Sequence, residues 1–268
     1  MNTILKYPGG KARTASWIIS YFPPHSTYCE PFFGSGAVFF QKSPVRNETI
    51  NDIDGDIVEL FRVCRDYPEE LARAVAFTPW ARDEFMNAMQ PTDGELDPIE
   101  RARRTLIRYH QSYATMQHSK HTWKNVQVTS GPCAIKSWSA LPDIVHSIGI
   151  RLKAVQIENC DALDLIRRYD DPDTLLYLDP PYPLSLRTKN MYQNEMTDEQ
   201  HLRLLELVKE SNAKIVLSSY DNEMYNDALH GWAVATKSTT AQSGARRVEK
   251  IYMNYQPPIL AVEINGKI

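Results

Sequence analysis

An acid, two prolines and an aromatic, Asp179-Pro180-Pro181-Tyr182, follow an apolar run from Thr174 to Leu178. The run reads as a buried strand. Neither proline carries an N–H for a sheet ladder, so the strand must stop there. A carboxylate, free backbone carbonyls and a flat ring are then left together at the carboxyl end of a strand. In open α/β sheets that edge is where ligands bind. Such a cluster accepts hydrogen bonds from an amino group while the ring stacks on its planar partner. Taken alone, it is equally a strand-ending turn with a capping aspartate.

Other residues suited to chemistry lie far from it in sequence. Lys6-Tyr7-Pro8-Gly9-Gly10-Lys11 offers two glycines for a tight turn whose amides can approach an anion, with Lys11 alongside. Glu30 precedes Gly34-Ser35-Gly36, and a strand, a glycine-rich turn and an apolar helix start at Ala37 to Phe40 together make a nucleotide-binding arrangement. Phe39 stands where a dinucleotide fingerprint has its third glycine, and no Gly-Lys-Ser/Thr follows. The turn therefore suits a nucleoside without a pyrophosphate. Asp52, at the tip of the next strand, suits a ribose diol. Asp54 and Asp56 read as capping acids for a helix from Ile57 to Arg65. Asp161 is again an acid at a strand tip.

The net charge of −3 over 268 residues is unevenly spread. Between Glu100 and Val155 nine Lys or Arg stand against two acids, a net +7, which leaves −10 for the rest of the chain. Tyr109, Tyr113, Trp123 and Trp138 are interleaved there, with four of the seven histidines. One basic, aromatic region on an acidic body is what phosphate binding requires; a solvated basic face is the plainer alternative.

The elements that must position these residues follow from periodicity and breakers. Strands are expected at Ser26 to Phe33, Glu48 to Ile53, Lys153 to Cys160, Thr174 to Leu178 and Lys214 to Ser219. Trp232 to Thr236, Lys250 to Tyr255 and Ile259 to Ile264 read as terminal, antiparallel strands, with a flexible loop from Thr236 to Arg247. Helices are expected around Trp17 to Tyr21, over Pro68 to Phe77, Arg82 to Met89, Pro98 to Tyr113 and Leu163 to Tyr169, and from a capping box at Thr197. Ala114 to Ser139 is polar and reads as a loop or a hairpin. Alternation of strands and helices on both sides of an inserted helical block gives one α/β sheet domain with an insertion. No apolar run approaches the roughly 20 residues of a membrane span, and Met1 to Gly10 lacks a signal-peptide profile. The four scattered cysteines lack metal-ligand spacing and read as thiols in a reducing cytosol.

In order along the chain, Pro-Gly-Gly-Lys at 8–11, Glu-Pro-Phe-Phe-Gly-Ser-Gly at 30–36, Asn-Asp-Ile-Asp at 51–54 and Asp-Pro-Pro-Tyr at 179–182 resemble the Dam-type, class α DNA adenine-N6 methyltransferases. Ser218 to Asp221 and Arg247 to Asn254 are similar to that family's C-terminal pattern. The resemblance covers about two-thirds of the chain. It implies a Rossmann-like methyltransferase sheet, mostly parallel with antiparallel C-terminal strands, carrying an inserted, mainly helical target-recognition domain. The boundaries would be 1–62 and 150–268 for the two parts of the catalytic domain and 63–149 for the insertion. The pattern departs in the insertion. Members that read GATC carry an Arg/Asn/Gly hairpin rich in Phe and Asn, where this chain has Tyr113 to His118 and His121 to Asn125.

The resemblance also implies a cofactor, S-adenosyl-L-methionine, leaving as S-adenosyl-L-homocysteine, and no metal. Asp52 would take the ribose hydroxyls and Asp161 the adenine amine. Lys11 with the amides of Gly9 and Gly10 would hold the carboxylate, and Glu30 would help position the methionine end. Tyr7, Phe32, Gly34 and Gly36 complete the expected cofactor set. The substrate would be an adenine flipped from double-stranded DNA, its amine held by Asp179 and the Pro180 carbonyl and its ring stacked on Tyr182. Lys120, Lys124, Asn125 and Gln127 are the expected base readers, and Arg246 and Arg247 a second phosphate clamp. The setting would be the cytoplasm of a bacterium or a phage-infected cell. A restriction nuclease partner, the recognised site and the oligomeric state stay open. Competing readings are a cytosine-N4 enzyme of the same fold, which more often has Ser at the position of Asp179, an RNA or protein-glutamine methyltransferase, which more often has Asn there, a non-catalytic DNA-binding relative, and a nicotinamide dehydrogenase.

Overall fold

The computed structural model describes residues 3–7, 9–91, 96–113, 122–126, 133–183, 194–240 and 246–258. Seven strands form one sheet: β1 (Thr27–Glu30), β2 (Asn47–Asn51), β3 (Gln156–Glu158), β4 (Thr174–Leu178), β5 (Lys214–Tyr220), β6 (Ala233–Thr240) and β7 (Arg246–Met253). Their order across the sheet is β3-β2-β1-β4-β5-β7-β6. The first five run parallel and β7 lies antiparallel to both β5 and β6. From β1 the chain moves outward to β2 and β3, then returns to place β4 on the other side of β1. The crevice between the carboxyl ends of β1 and β4 is therefore the point where strand order reverses, the general ligand position of such sheets.

Period-2 alternation buries both faces. On β4, Leu175 and Tyr177 face one hydrophobic cluster while Leu176 and Leu178 face another, and on β5 Val216 opposes Ile215 and Leu217. The second face is covered by α8 (Ala162–Arg168), α9 (Asp198–Glu210) and α10 (Glu223–Ala228). The first is covered by α1 (Ala15–Ile19), α2 (Gly55–Asp66) and the inserted helices α3 (Pro68–Ala76), α4 (Arg82–Met89), α5 (Pro98–Gln111), α6 (Ala134–Ser139) and α7 (Leu141–Leu152). Leu71, Phe85, Leu106 and Val145 of the insertion share one cluster with Tyr28, Ile50 and Ile251 of the sheet. Among the described residues the inserted segment thus shares its core with the sheet and completes the layer over it.

Local chemistry explains most element ends. Pro31 cannot donate, so β1 stops at Glu30, short of the expected Phe33. Asp54 caps α2 by accepting from the Asp56 amide at 2.9 Å. Asp56 has a different partner: its two oxygens take Arg101 and Arg108 of α5, each at 2.7 Å. Thr197 and Gln200 form the expected capping box of α9.

Three expectations are corrected. Residues 37–41, expected to start a helix at Ala37 to Phe40, form turns. Gly36 enters them at φ +64°, Pro44 follows closely, and Phe39 and Phe40 pack edge-on against Phe33 instead of continuing a helical stripe. The expected loop from Thr236 is mostly strand, since β6 runs to Thr240 and pairs with Arg246 and Arg247 at the start of β7; residues 241–245 lie outside the described set. Helices α6, α7 and α10, which periodicity did not single out, are present, and α6 makes the end of the expected loop or hairpin over Ala114 to Ser139 helical. Part of 114–139 and the expected strand from Ile259 lie outside the described residues. The root of the 113–122 segment is paired as a hairpin, with Tyr113 N–H donating to Thr122 O and Lys124 N–H to Gln111 O. No helix among the described residues is long and apolar enough to cross a membrane.

One contact fixes how the insertion meets the first half of the chain. Gly149 on α7 faces the Cys64 carbonyl at the end of α2, and a Cβ there would collide with that oxygen. Gly149→Ala is expected to lower stability by about 1–3 kcal/mol through overpacking, read as a lower urea midpoint with the denaturant slope unchanged.

Candidate active site

Four strand ends deliver carboxylates to one cavity: Glu30 ends β1, Asp52 follows β2, Asp161 follows β3 and Asp179 follows β4. Tyr7, Gly9, Gly10, Lys11, Phe32 and Gly34 line the same cavity. Ten of the residues singled out from sequence therefore converge, although Tyr7 and Asp179 are far apart along the chain. Gly36, Pro180 and Tyr182 do not line it.

A side-chain amide ties the strand ends together. Asn51, almost fully buried, donates to Pro31 O at 2.9 Å and Cys160 O at 3.1 Å, and accepts from Cys160 N–H at 2.9 Å. This fixes the segments after β1 and β3 against the end of β2. Next to it the Gly34 amide donates to Asp52 Oδ2 and the Asp54 amide to Oδ1, at 2.8 and 2.9 Å. Gly34 needs its φ of +50°, and a Cβ there would press on the Tyr7 ring at 2.9 Å. Tyr7, itself stacked on Tyr109 at 5.8 Å, thus forms a lid over the glycine turn. Asp161 doubles as the N-cap of α8, accepting from Leu163 N–H at 2.7 Å.

Burial sets the electrostatics. It pushes the Asp52 carboxyl up to about 6 against the pull of backbone donors. Glu30 goes up to about 8, mainly by burial and further by the Asp179 charge, although the Tyr28 hydroxyl donates to it at 2.7 Å. Asp179 is pushed up to about 6 by burial and by Glu249, while Lys11 opposes the shift. Among the described residues the lining holds six carboxyl groups (Glu30, Asp52, Asp54, Asp161, Asp179, Glu195) and a single lysine. Such a cavity favours a cationic ligand and disfavours a phosphate.

Two side chains sit differently from the sequence expectation. Lys11 Nζ lies 2.9 Å from Asp179 Oδ1, 3.0 Å from Gly9 O and 3.6 Å from Glu249 Oε1, so it meets the chain's own carboxylates. The Tyr182 ring is buried behind Asp179, edge-on to Tyr220 at 4.5 Å, with the Lys11 ammonium 4.9 Å over its face and its hydroxyl donating to Glu249. Sequence reasoning missed Glu249, and also Tyr177, Ile53, Asn194, Glu195 and Met196 on the cavity wall. The polar chain between Tyr182 and the α9 capping box was the available signal for the last three.

The basic window is less open than its charge count implied. Arg101 and Arg108 pair with Asp56, Arg103 with Glu84 and Glu100, Arg104 with Glu100, and Arg151 with Glu48. Acids from outside the window neutralise most of these arginines in space. Lys124 and Asn125 lie at the hairpin root, where Trp80 donates to Lys124 O at 3.0 Å. Lys120 and Gln127 lie outside the described residues, and only the backbones of Arg246 and Arg247 are described.

Residues 7–242 match the family described as D12 class N6 adenine-specific DNA methyltransferase. A type II methyltransferase of Lactococcus lactis subsp. cremoris is 26% identical over 282 residues, covering 93% of this chain and 94% of its own. The DNA adenine methylase of Escherichia coli (strain K12) is 23% identical, covering 96% of each chain. Among solved structures, a putative methyltransferase, yhhF, from Escherichia coli is similar at a TM-score of 0.40 and 10% identity, over 94% of this chain and 92% of that one.

The raised Glu30 carboxyl carries a stability consequence. Its folded value lies above its ordinary value of 4.5, so its contribution is fully present below about 4.5 and is lost as pH rises through about 8. Glu30→Gln is therefore expected to leave the melting temperature nearly unchanged at pH 5 and to raise it at pH 8, checked by thermal unfolding of the ligand-free protein across that range.

Proposed function

The chain belongs to the D12 class N6 adenine-specific DNA methyltransferases, and from that premise we propose that it methylates an adenine flipped out of duplex DNA, with S-adenosyl-L-methionine held in the acidic cavity. The observation that carries this reading is the delivery of Glu30, Asp52, Asp161 and Asp179 by four adjacent strands to one crevice. The lining fits that cofactor. It is a sulfonium cation with an amino group and no phosphate, which suits six carboxylates and a glycine turn without a third glycine. When bound, it supplies a methyl group on a sulfonium sulfur, which departs with the bonding pair as the thioether of S-adenosyl-L-homocysteine.

The chain's own residues do the rest. Asp52 keeps lone pairs beyond its two backbone donors and accepts the ribose hydroxyls. Asp161 accepts from the adenine amine of the cofactor. Glu30 and the Gly9 amide face its methionine end, while the Gly10 N–H, expected to join them, instead donates to Tyr7 O and closes the turn; Tyr7, Phe32, Gly34 and Gly36 shape the turn around it. Asp179 and the Pro180 carbonyl accept the two hydrogens of the target amine. Those bonds favour a tetrahedral nitrogen and aim its lone pair along the line of transfer, so placement supplies much of the rate. The nitrogen sheds its proton after it becomes cationic, so Asp179 need not be a strong base. Tyr182 backs Asp179 from its buried position, its hydroxyl held by Glu249 and its ring beneath the Lys11 ammonium.

Flipping costs about a few kcal/mol of stacking and pairing, and phosphate contacts from Lys120, Lys124, Arg246 and Arg247 would offset it in a salt-dependent way. Asn125 and Gln127, with the two lysines, are the base readers we favour. On this reading the enzyme works in the cytoplasm, in a bacterial or phage-infected cell.

Incubation of varied plasmid DNA with labelled cofactor, followed by digestion to nucleosides, tests the reading. Label should appear in N6-methyladenine, and Asp179→Ala should lower transfer by at least about a hundredfold. Equal transfer by wild type and variant would overturn it. Because Asp179 titrates near 6, wild-type kcat should rise with pH through that value. Exchange of residues 114–139 should change target choice while leaving cofactor affinity within about twofold; equal loss of both would refute a separate reading segment.

A further inference from the structure

We propose that Glu249 is a positioning residue of the methyl-transfer site: from β7 its buried carboxylate holds both the Tyr182 hydroxyl and the Lys11 ammonium, and so sets the arrangement in which both meet Asp179. This deepens the proposed function and rests on it.

Glu249 sits opposite Tyr220 in the antiparallel β5–β7 pair and is 5% exposed. A carboxylate held this far from water needs partners. The Tyr182 hydroxyl donates to it, and the Lys11 ammonium lies 3.6 Å away. Those partners are the two side chains that flank Asp179. Lys11 reaches Asp179 at 2.9 Å, and the Tyr182 ring is clamped between that ammonium and the edge of Tyr220. Without Glu249 the phenol loses its acceptor, and Lys11 loses one of its carboxylate contacts.

Among the described residues the cluster sets two carboxylates, Asp179 and Glu249, against the Lys11 ammonium. The groups facing Asp179 are Lys11 from the N-terminal segment, Glu30 from β1, Tyr177 from β4, Tyr182 beyond it, Tyr225 from α10 and Glu249 from β7. Glu249 disfavours the ionised form of Asp179 and Lys11 favours it. Removing the Glu249 charge while keeping its shape should let Asp179 ionise at lower pH. A residue that only packs β7 against β5 would not produce that effect.

Glu249→Gln keeps an acceptor for Tyr182 and removes the charge. Its kcat–pH profile should have an acid limb lower by about half a unit to one unit than wild type, with cofactor affinity unchanged in equilibrium dialysis. Tyr182→Phe removes the hydroxyl and keeps the ring; kcat/KM for DNA should fall about tenfold or more with the limb in place. Wild type that methylates adenine beside a folded Glu249→Gln with an unmoved limb overturns this inference and leaves the functional reading intact. Should Glu249→Gln fail to fold, Tyr182→Phe with unchanged kcat/KM overturns it. Wild type that methylates no adenine refutes the underlying reading instead.

Discussion

Parallel pairing of β1 with β2 on one side and with β4 on the other determines where every group of the site can stand. Thr27 is level with Asn47 and with Thr174, so the three strands finish at one edge. Once they do, the residues that follow them have little choice of position. The Asn51 amide then locks the outgoing segments of β1 and β3 to the end of β2. The glycine turn, Asp52 and Asp161 inherit their spacing from that lock. The site is thus a property of sheet register first and of individual side chains second.

Burial of like charge is the second constraint. Glu30, Asp52 and Asp179 are each held out of water and each pushed up from the ordinary carboxylate range. The fold tolerates this because every one has donors: a phenol for Glu30, backbone amides for Asp52, an ammonium for Asp179. The protein is therefore less stable than an apolar edge would make it, and the cavity is correspondingly suited to positive charge. Strain of this kind concentrates where a site must bind or react.

Motifs whose chemistry is local were legible in the sequence. The proline pair ended β4 where expected, the capping box opened α9, and Asp54 capped α2, because each depends on neighbours within a few residues. The convergence of Tyr7, Lys11, Glu30, Asp52 and Asp179 was legible only through the resemblance of four motifs in order, since periodicity says nothing of which strand ends meet. Effects decided in space were not legible. The +7 window looked open because Asp56, Glu84 and Glu48 lie outside it in sequence and against it in the fold. Residues 37–40 looked helical because their apolar run fits a helix as well as it fits an aromatic cluster with Phe33. Glu249 lay within the Arg247 to Asn254 stretch of the resemblance, but its contacts with Tyr182 and Lys11 are decided in space and gave the sequence no local sign.

The Lys11–Glu249 contact joins positions near opposite ends of the described chain. A contact of such long sequence separation closes late in folding, after the loop entropy between its partners has been overcome. The β5–β7 pairing that carries Glu249 must form before the carboxylate can reach Tyr182 and Lys11. As the chain folds, the glycine turn and the Asp52 tip can be in place while the corner built by Lys11, Asp179 and Glu249 is still unmade, so this corner is the last part of the cavity to acquire its shape.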